Sequence, residues 1–324
     1  MLESRASPQS GYALVGRERG SRLLQRRGPG VDGPPVLVVP SLVNRWYILD
    51  LLPGRSLVAA LADRGLNVFV HDWGECRDED RHLSWDRLVA MVQRSLRRVA
   101  RSTGHRPAIV GYSMGGTLST VAAALAPDRV AKLVALAAPI DFARAGALAR
   151  LVDPTWFDVD AVADAGNVPG QQLRAGFVAL RPGAQAYKLV HWLEALGDPK
   201  RRRVAQRVEA WASDSVPFPA TAYRQYIREL YQSNALALGT HHVGGRRVDL
   251  AEITAPVLAV TADQDDICPA PATTALHELC SRAAVETLRI PGGHIGAVVG
   301  YRAAEHLYAP LGDWLTDTSC NSIN

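Results

Sequence analysis

The 324-residue chain contains only four cysteines, Cys76, Cys268, Cys280 and Cys320, and no two of them have CxxC spacing. That argues against a zinc site and against a secreted fold stapled by disulfides. No apolar run approaches the roughly 20 residues that a membrane-spanning helix needs. The first thirty residues are rich in Arg, Gly and Ser and have no apolar core segment, so no secretory signal is read there. A cytoplasmic location is the resulting expectation. The formal charge is only +4, and the arginines fall in short clusters such as Arg97-Arg98 and Arg201-Arg202-Arg203. A nucleic-acid surface would want a longer basic stripe with interleaved aromatics, so no nucleic acid is expected as a partner. Internal repeats and low-complexity segments are lacking too.

What is present is enough apolar material for a large core: 48% of residues are hydrophobic and 21% charged. Short apolar runs recur as "VLVVP" (36–40), "NVFVHD" (67–72), "AIVGY" (108–112), "KLVALAAP" (132–139), "PVLAVTA" (256–262) and "VETLRI" (285–290). Each is too short for a helix, and the set reads as strands buried on both faces of a parallel sheet. Between them lie helical patterns; Leu88, Val92, Leu96 and Val99 share one helix face. Strands alternating with helices predict a doubly wound, mostly parallel α/β sheet. "YALV" and "RLLQ" near the N-terminus predict an edge hairpin. The alternation lapses from about 142 to 250, where prolines and aromatics gather in helix-like periods. An insertion between two strands at that point lies over their carboxyl ends, so it reads as a cap. The expected organisation is core over 1–141, cap over 142–250, core again over 251–315, and a tail over 316–324.

"GYSMGG" (111–116) follows a strand-like run and opens a helix-like one. Gly-x-Ser-x-Gly in that setting is the pattern of a nucleophile on a sharp strand-to-helix turn, with glycines letting the turn close. Ser113 is the candidate nucleophile, and the amide of Met114 is one oxyanion donor. A serine hydroxyl needs a base. Among nine histidines, His294 in "IPGGHIGAV" stands just after the last strand-like run. Adjacent His241 and His242 point in different directions, so no metal site is expected. The base needs an acid, and "TADQDDICP" offers Asp263, Asp265 and Asp266, between which position alone does not choose. The order serine, aspartate, histidine is that of α/β-hydrolases. The loop 41–45, "SLVNR", is the expected source of a second oxyanion amide.

The chain resembles the polyhydroxyalkanoate synthases, in particular their shorter catalytic subunits, from about residue 11 to Leu315. The resemblance is carried by "PSLVNRWYILDLLPG", by "HDWG", "AAPIDF", "GNVPG", "WASD", "YQSN", "GGRRVDL", "ITAPVLAV" and "GGHIGAVVG", all in order. It implies an α/β-hydrolase fold with a helical cap, nucleophile Ser113 and base His294. The family's D-x-I-x-P falls on "DDICP" and selects Asp265. The oxyanion amides fall on Met114 and Val43. The implied chemistry moves a 3-hydroxyacyl group from coenzyme A to the nucleophile and on to a hydroxyl. No cofactor is implied beyond coenzyme A as the acyl carrier. A homodimer or a synthase-type partner subunit, and association with polyester granules, belong to the same set of expectations.

Two positions depart from the family. Its cysteine nucleophile is Ser113 here, and its histidine after the aspartate is Asp266. An acyl-cysteine keeps the reactivity of a thioester; an acyl-serine is an oxygen ester, whose transfer to an alcohol is near thermoneutral. Water then competes unless the cap excludes it. Three readings follow: a serine acyltransferase with a hydroxyl acceptor; an esterase, thioesterase or depolymerase with water as acceptor; and a non-catalytic protein that binds granules or a synthase. Asn44, Trp46 and Tyr47, beside the oxyanion loop, are the substrate-pocket candidates, with Asn44 and Arg45 holding that loop or bracing the cap. Trp192, Trp211 and Tyr231 read as core, and Asp72 as the anchor of a turn.

Overall fold

A computed structural model describes residues 11–179 and 198–317. Its centre is one eight-stranded sheet: β1 (Tyr12–Glu18), β2 (Ser21–Arg26), β3 (Pro35–Val39), β4 (Asn67–Asp72), β5 (Ala108–Tyr112), β6 (Leu133–Leu136), β7 (Val257–Ala262) and β8 (Val285–Ile290). The spatial order is β1-β2-β4-β3-β5-β6-β7-β8. β1, β2 and β4 pair antiparallel, and all pairings from β4 to β8 are parallel. The hairpin of β1 and β2 lies at one edge, as its sequence predicts.

Apolar runs become central strands because both faces are covered. Every residue of β3, β4, β5, β6 and β7 is buried. In β3, Leu37 and Val39 enter one core, and Val36 and Val38 the other. The first core is covered by α2 (Trp85–Thr103) and α3 (Met114–Leu125), the second by α1 (Leu57–Asp63) and a C-terminal helix, Ala309–Thr316. The stripe Leu88, Val92, Leu96, Val99 is wholly buried. Ser84 caps the start of α2 by accepting from the amide of Arg87, and Gly104 ends it at φ 75°. The strand β8 departs from expectation. Among the described residues it pairs only with β7, and Glu286, Thr287 and Arg289 are exposed, so "VETLRI" is an edge strand and not one buried on both faces.

Between β6 and β7 the described residues carry helices: α4 (Gly146–Leu151), α5 (Val159–Asp164), α6 (Gly170–Ala179), α7 (Pro199–Ser213) and α8 (Ala220–Gln225), which runs on into a π-helical turn, Tyr226–Gln232. That turn sets Tyr226 and Tyr231 five apart with ring centroids 5.4 Å from each other, both against Phe142. Tyr231 is thus core, as read. Trp192 lies outside the described residues.

Candidate active site

The parallel strands bring their carboxyl ends to one edge. Val39 pairs with Gly111 and Ala262 with Ile290. The loop 40–45, the turn at Ser113, the Asp265 loop and the His294 loop therefore all leave the sheet on the same side. Ser113 is the hinge between β5 and α3 and sits at φ 55°, ψ −130°, a conformation in which a non-glycine residue is strained. Its amide donates to the Leu136 carbonyl at 2.9 Å and its carbonyl accepts from Gly116 at 2.8 Å. The neighbouring glycines are needed for contact. A Cβ on Gly115 would lie 2.2 Å from the Val39 carbonyl oxygen, and one on Gly111 would lie 2.4 Å from the Gly116 Cα. The start of α3 is thus pressed against the end of β3. All of α3 is buried, and its hydroxyls are satisfied: Ser119 and Thr120 donate to the Gly115 and Gly116 carbonyls within the helix, and Thr117 donates to the Pro139 carbonyl.

Asp265 has a fully buried side chain. Its Oδ1 accepts from the amides of Ile267 and Cys268, both at 2.9 Å, and its Oδ2 meets Nδ1 of His294 at 2.7 Å. Of the three aspartates of that loop, Asp263 instead pairs with Arg289 at 2.9 Å, and Asp266 lines the cavity described below. With Nδ1 directed at the carboxylate, the other imidazole nitrogen is the one left to act as a base. The ring is held from a second side by Tyr112. The two rings stack at 5.2 Å with an interplanar angle of 29°, and the Tyr112 hydroxyl donates to the His294 carbonyl at 3.1 Å. Burial and the nearby Asp265 and Cys268 push the Tyr112 phenol well above its ordinary range, so it stays neutral.

Ser113 and His294 face a common cavity of about 600 Å³. One wall is the loop after β3, with Ser41, Val43 and Asn44; another is Gly293–Gly296, with Asp266 and Ile267 beside it; α6, α7 and the chain just beyond α7 add Leu173, Phe177, Trp211 and Ser215. Arg174 of α6 and Glu209 of α7 form an ion pair at 2.7 Å on the same cavity. Val43 and Asn44 both line the cavity. Met114 follows Ser113 directly, with its side chain buried in the core.

Trp46 and Tyr47 are not in the cavity wall. A short helical turn, Trp46–Leu49, sends Trp46 into the core beneath the loop, edge-on to Tyr12 at 5.1 Å. The Tyr47 hydroxyl donates to Asp214 at 2.8 Å. Arg45 is a brace: it reaches Asp214 at 3.1 Å, Glu75 at 3.0 Å and the Gly74 carbonyl at 3.1 Å. Trp211, read from the sequence as core, is buried but also walls the cavity, and its indole donates to the Arg45 carbonyl at 2.8 Å. Asp72 accepts from the Gly74 amide at 2.9 Å and from Arg22 at 2.8 Å, the turn anchor expected of it. Among the described residues, no cluster of His, Cys, Asp or Glu could hold a metal ion, and no helix is long and apolar enough to cross a membrane.

A family model described as the alpha/beta hydrolase fold matches residues 34–301. The protein is thus of the α/β-hydrolase class in both topology and sequence. Two known structures share that fold at low identity: a hydrolase from Pseudomonas aeruginosa PA01, TM-score 0.58, 16% identical, covering 94% of this chain and 98% of that one; and the thioesterase domain from the curacin biosynthetic pathway, TM-score 0.53, 14% identical, covering 94% and 99%. Sequence relatives are narrower. The chain is 33% identical over 296 residues to the poly(3-hydroxyalkanoate) polymerase subunit PhaC of Allochromatium vinosum, covering 89% of this chain and 82% of that protein. It is 34% identical over 308 residues to the Synechocystis subunit of the same name, covering 91% and 82%. Against the Haloferax mediterranei subunit it is 33% identical over 290 residues, covering 88% of this chain but only 59% of that relative. The chain belongs to the poly(3-hydroxyalkanoate) polymerase PhaC family. Fold and relatives together support an enzyme that acts on acyl esters or thioesters.

Proposed function

We propose that the protein is a serine acyltransferase that takes a 3-hydroxyacyl group from a thioester onto Ser113 and passes it to a hydroxyl acceptor. The observation that carries this reading is the strained turn at Ser113 opening on the same cavity as a histidine already paired to a buried aspartate. In the first step the Ser113 Oγ–H proton goes to His294 as Oγ attacks the thioester carbonyl. The C–S bond breaks, and the thiolate leaves with that proton. In the second step the acceptor hydroxyl gives its proton to His294 and attacks the acyl-serine. A new ester forms and Ser113 takes the proton back. Asp265 holds the imidazole in place and stabilises its charged form. The amides of Val43 and Met114 are the oxyanion donors in this reading. The segment 142–250 serves as the cap: α6 and α7 roof the cavity with Leu173, Phe177 and Trp211, apolar walls that suit an acyl chain and keep water sparse.

The competing reading is hydrolysis, favoured by the serine itself, because an acyl-serine has lost the thioester's driving force toward an alcohol. Incubation with 3-hydroxyacyl-coenzyme A separates the two. Linear esters of two or more hydroxyacyl units are the expected product. Free hydroxy acid alone would assign the protein as a thioesterase.

A further inference from the structure

We propose that the side-chain hydroxyl of Ser41 is a third oxyanion donor, one that bonds the acyl oxygen as negative charge builds on it. The proposal rests on the acyl-serine reading above and adds to that site a catalytic residue from the end of β3.

The sheet sets Ser41 beside the nucleophile. β3 and β5 are parallel neighbours, with Val38 opposite Val110 and Val39 opposite Gly111. Neighbouring strands lie about 4.8 Å apart, and the same register carried two residues further brings Ser41 opposite Ser113. The chain is fixed at this point. The peptide that joins Pro40 to Ser41 has its carbonyl bonded by the Trp73 indole at 2.9 Å. The same carbonyl abuts the start of α3, since a Cβ on Gly115 would lie 2.4 Å from its oxygen. Two residues on, the Val43 carbonyl accepts from the Val216 amide at 3.4 Å. Ser41 is thus held on both sides before any substrate arrives, as a donor must be to act without reorganisation.

The hydroxyl is uncommitted. Ser41 is 5% exposed, and its hydroxyl bonds to no group among the described residues. It lines the cavity with Ser113, and its oxygen is open to that space rather than sealed in the protein. The other hydroxyls near the turn, those of Thr117, Ser119 and Thr120, are engaged with backbone carbonyls. Ser215 stands on the cap side, where a Cβ on Gly170 would meet its oxygen at 2.6 Å. A serine hydroxyl has one O–H to give. The strongest acceptor that forms in this cavity is the acyl oxygen, charged during attack on the thioester and again during attack on acyl-Ser113. A bond to an ionised acceptor is stronger than one to a neutral carbonyl, so the O–H favours the tetrahedral state over the ground state. No proton is transferred; Ser41 donates a hydrogen bond beside the amides of Val43 and Met114.

The test is Ser41→Ala in the full chain, with two donors: a 3-hydroxyacyl-coenzyme A and the matching acyl-coenzyme A that lacks the 3-hydroxyl. Turnover is read as thiol release, which transfer and hydrolysis both give. With both donors kcat is expected to fall about 100-fold while KM changes by less than about twofold. A trifluoromethyl ketone that adds to Ser113 as a charged tetrahedral adduct is expected to bind the variant about 100-fold more weakly. Urea unfolding is expected to match wild type, because the hydroxyl has no partner in the fold. A kcat within about threefold of wild type overturns the assignment. So does a rise in KM alone, which would make the contact one of ground-state binding. A loss confined to the 3-hydroxyacyl donor overturns it too, since the hydroxyl would then serve the substrate's own hydroxyl. If wild type acylates Ser113 but yields only free acid, the transfer reading fails, and this comparison still decides Ser41. If no acyl group reaches Ser113 in wild type, both fail.

Discussion

Asp265 and His294, 29 residues apart in the chain, meet at 2.7 Å between Oδ2 and Nδ1, and two backbone amides hold the other carboxylate oxygen. The carboxylate therefore cannot turn away without leaving amides unpaired, and it fixes which imidazole nitrogen carries the proton. Asp265→Asn keeps the shape but presents an NH₂ group or a weaker acceptor to Nδ1. Turnover of an acyl thioester is expected to fall about 10⁴-fold with little change in stability. A loss under tenfold would mean that this pair does not orient the base.

Ser113→Cys restores a thioester intermediate on an otherwise unchanged frame. The ratio of ester to free acid, measured by chromatography after incubation with a hydroxyacyl thioester, is expected to rise. An unchanged ratio would show that the cavity has no room for an alcohol beside the acyl group.

Gly115→Ala tests why the motif has glycine there. The new Cβ would lie 2.2 Å from the Val39 carbonyl oxygen and 2.4 Å from that of Pro40, both backbone atoms. The loop 41–45 has to move away from Ser113, so urea unfolding should show a loss of about 3 kcal/mol, and acylation should slow. A change within about 0.5 kcal/mol would mean that the helix start is not packed against the Val39 and Pro40 carbonyls.

His71 sets an acid limit to stability. It is fully buried, bonded to Ser95 at 2.9 Å, and burial, with Arg94 adding to it, lowers its pKa from 6.5 to about 3. In the unfolded chain the imidazole takes up a proton as the pH falls through 6.5; in the folded protein it stays neutral until about pH 3. Stability is thus full above pH 6.5 and drains away below it, at about 1.4 kcal/mol per pH unit. Between pH 6.5 and 4.5, urea unfolding of the wild type should lose about 2 kcal/mol more than that of His71→Gln. Parallel pH curves for the two would show that His71 charges in the native state.

Much of the frame was legible because central strands bury both faces and so read as unbroken apolar runs. The edge strand is hidden for the same reason: "VETLRI" has Glu286 and Arg289, but a pattern of runs does not say which strand has a neighbour on only one side. At the site, the motif around Ser113 carries its own geometry, since only glycine fits at 111 and 115. The aspartate was different. Three carboxylates within four positions look alike in sequence, and the loop's fold is what brings Asp265 to His294. Trp46 and Tyr47 read as pocket residues because they adjoin the loop 41–45, yet one helical turn sends Trp46 into the core. Phe177 and Trp211 reach the cavity from far along the chain; Phe177 lies in no motif, and the "WASD" that Trp211 opens does not by itself say that the ring walls a cavity. Tyr112 does carry a sequence signal: it precedes Ser113 at the very end of β5, where the loop of the neighbouring base must pack.

The most direct measurement is peptide mass spectrometry after rapid acid quench of the protein with a 3-hydroxyacyl-coenzyme A. The expected result is one hydroxyacyl group on the peptide containing Ser113, accumulating in wild type and absent from Ser113→Ala. An adduct on another residue, or turnover that persists in Ser113→Ala, would contradict the account.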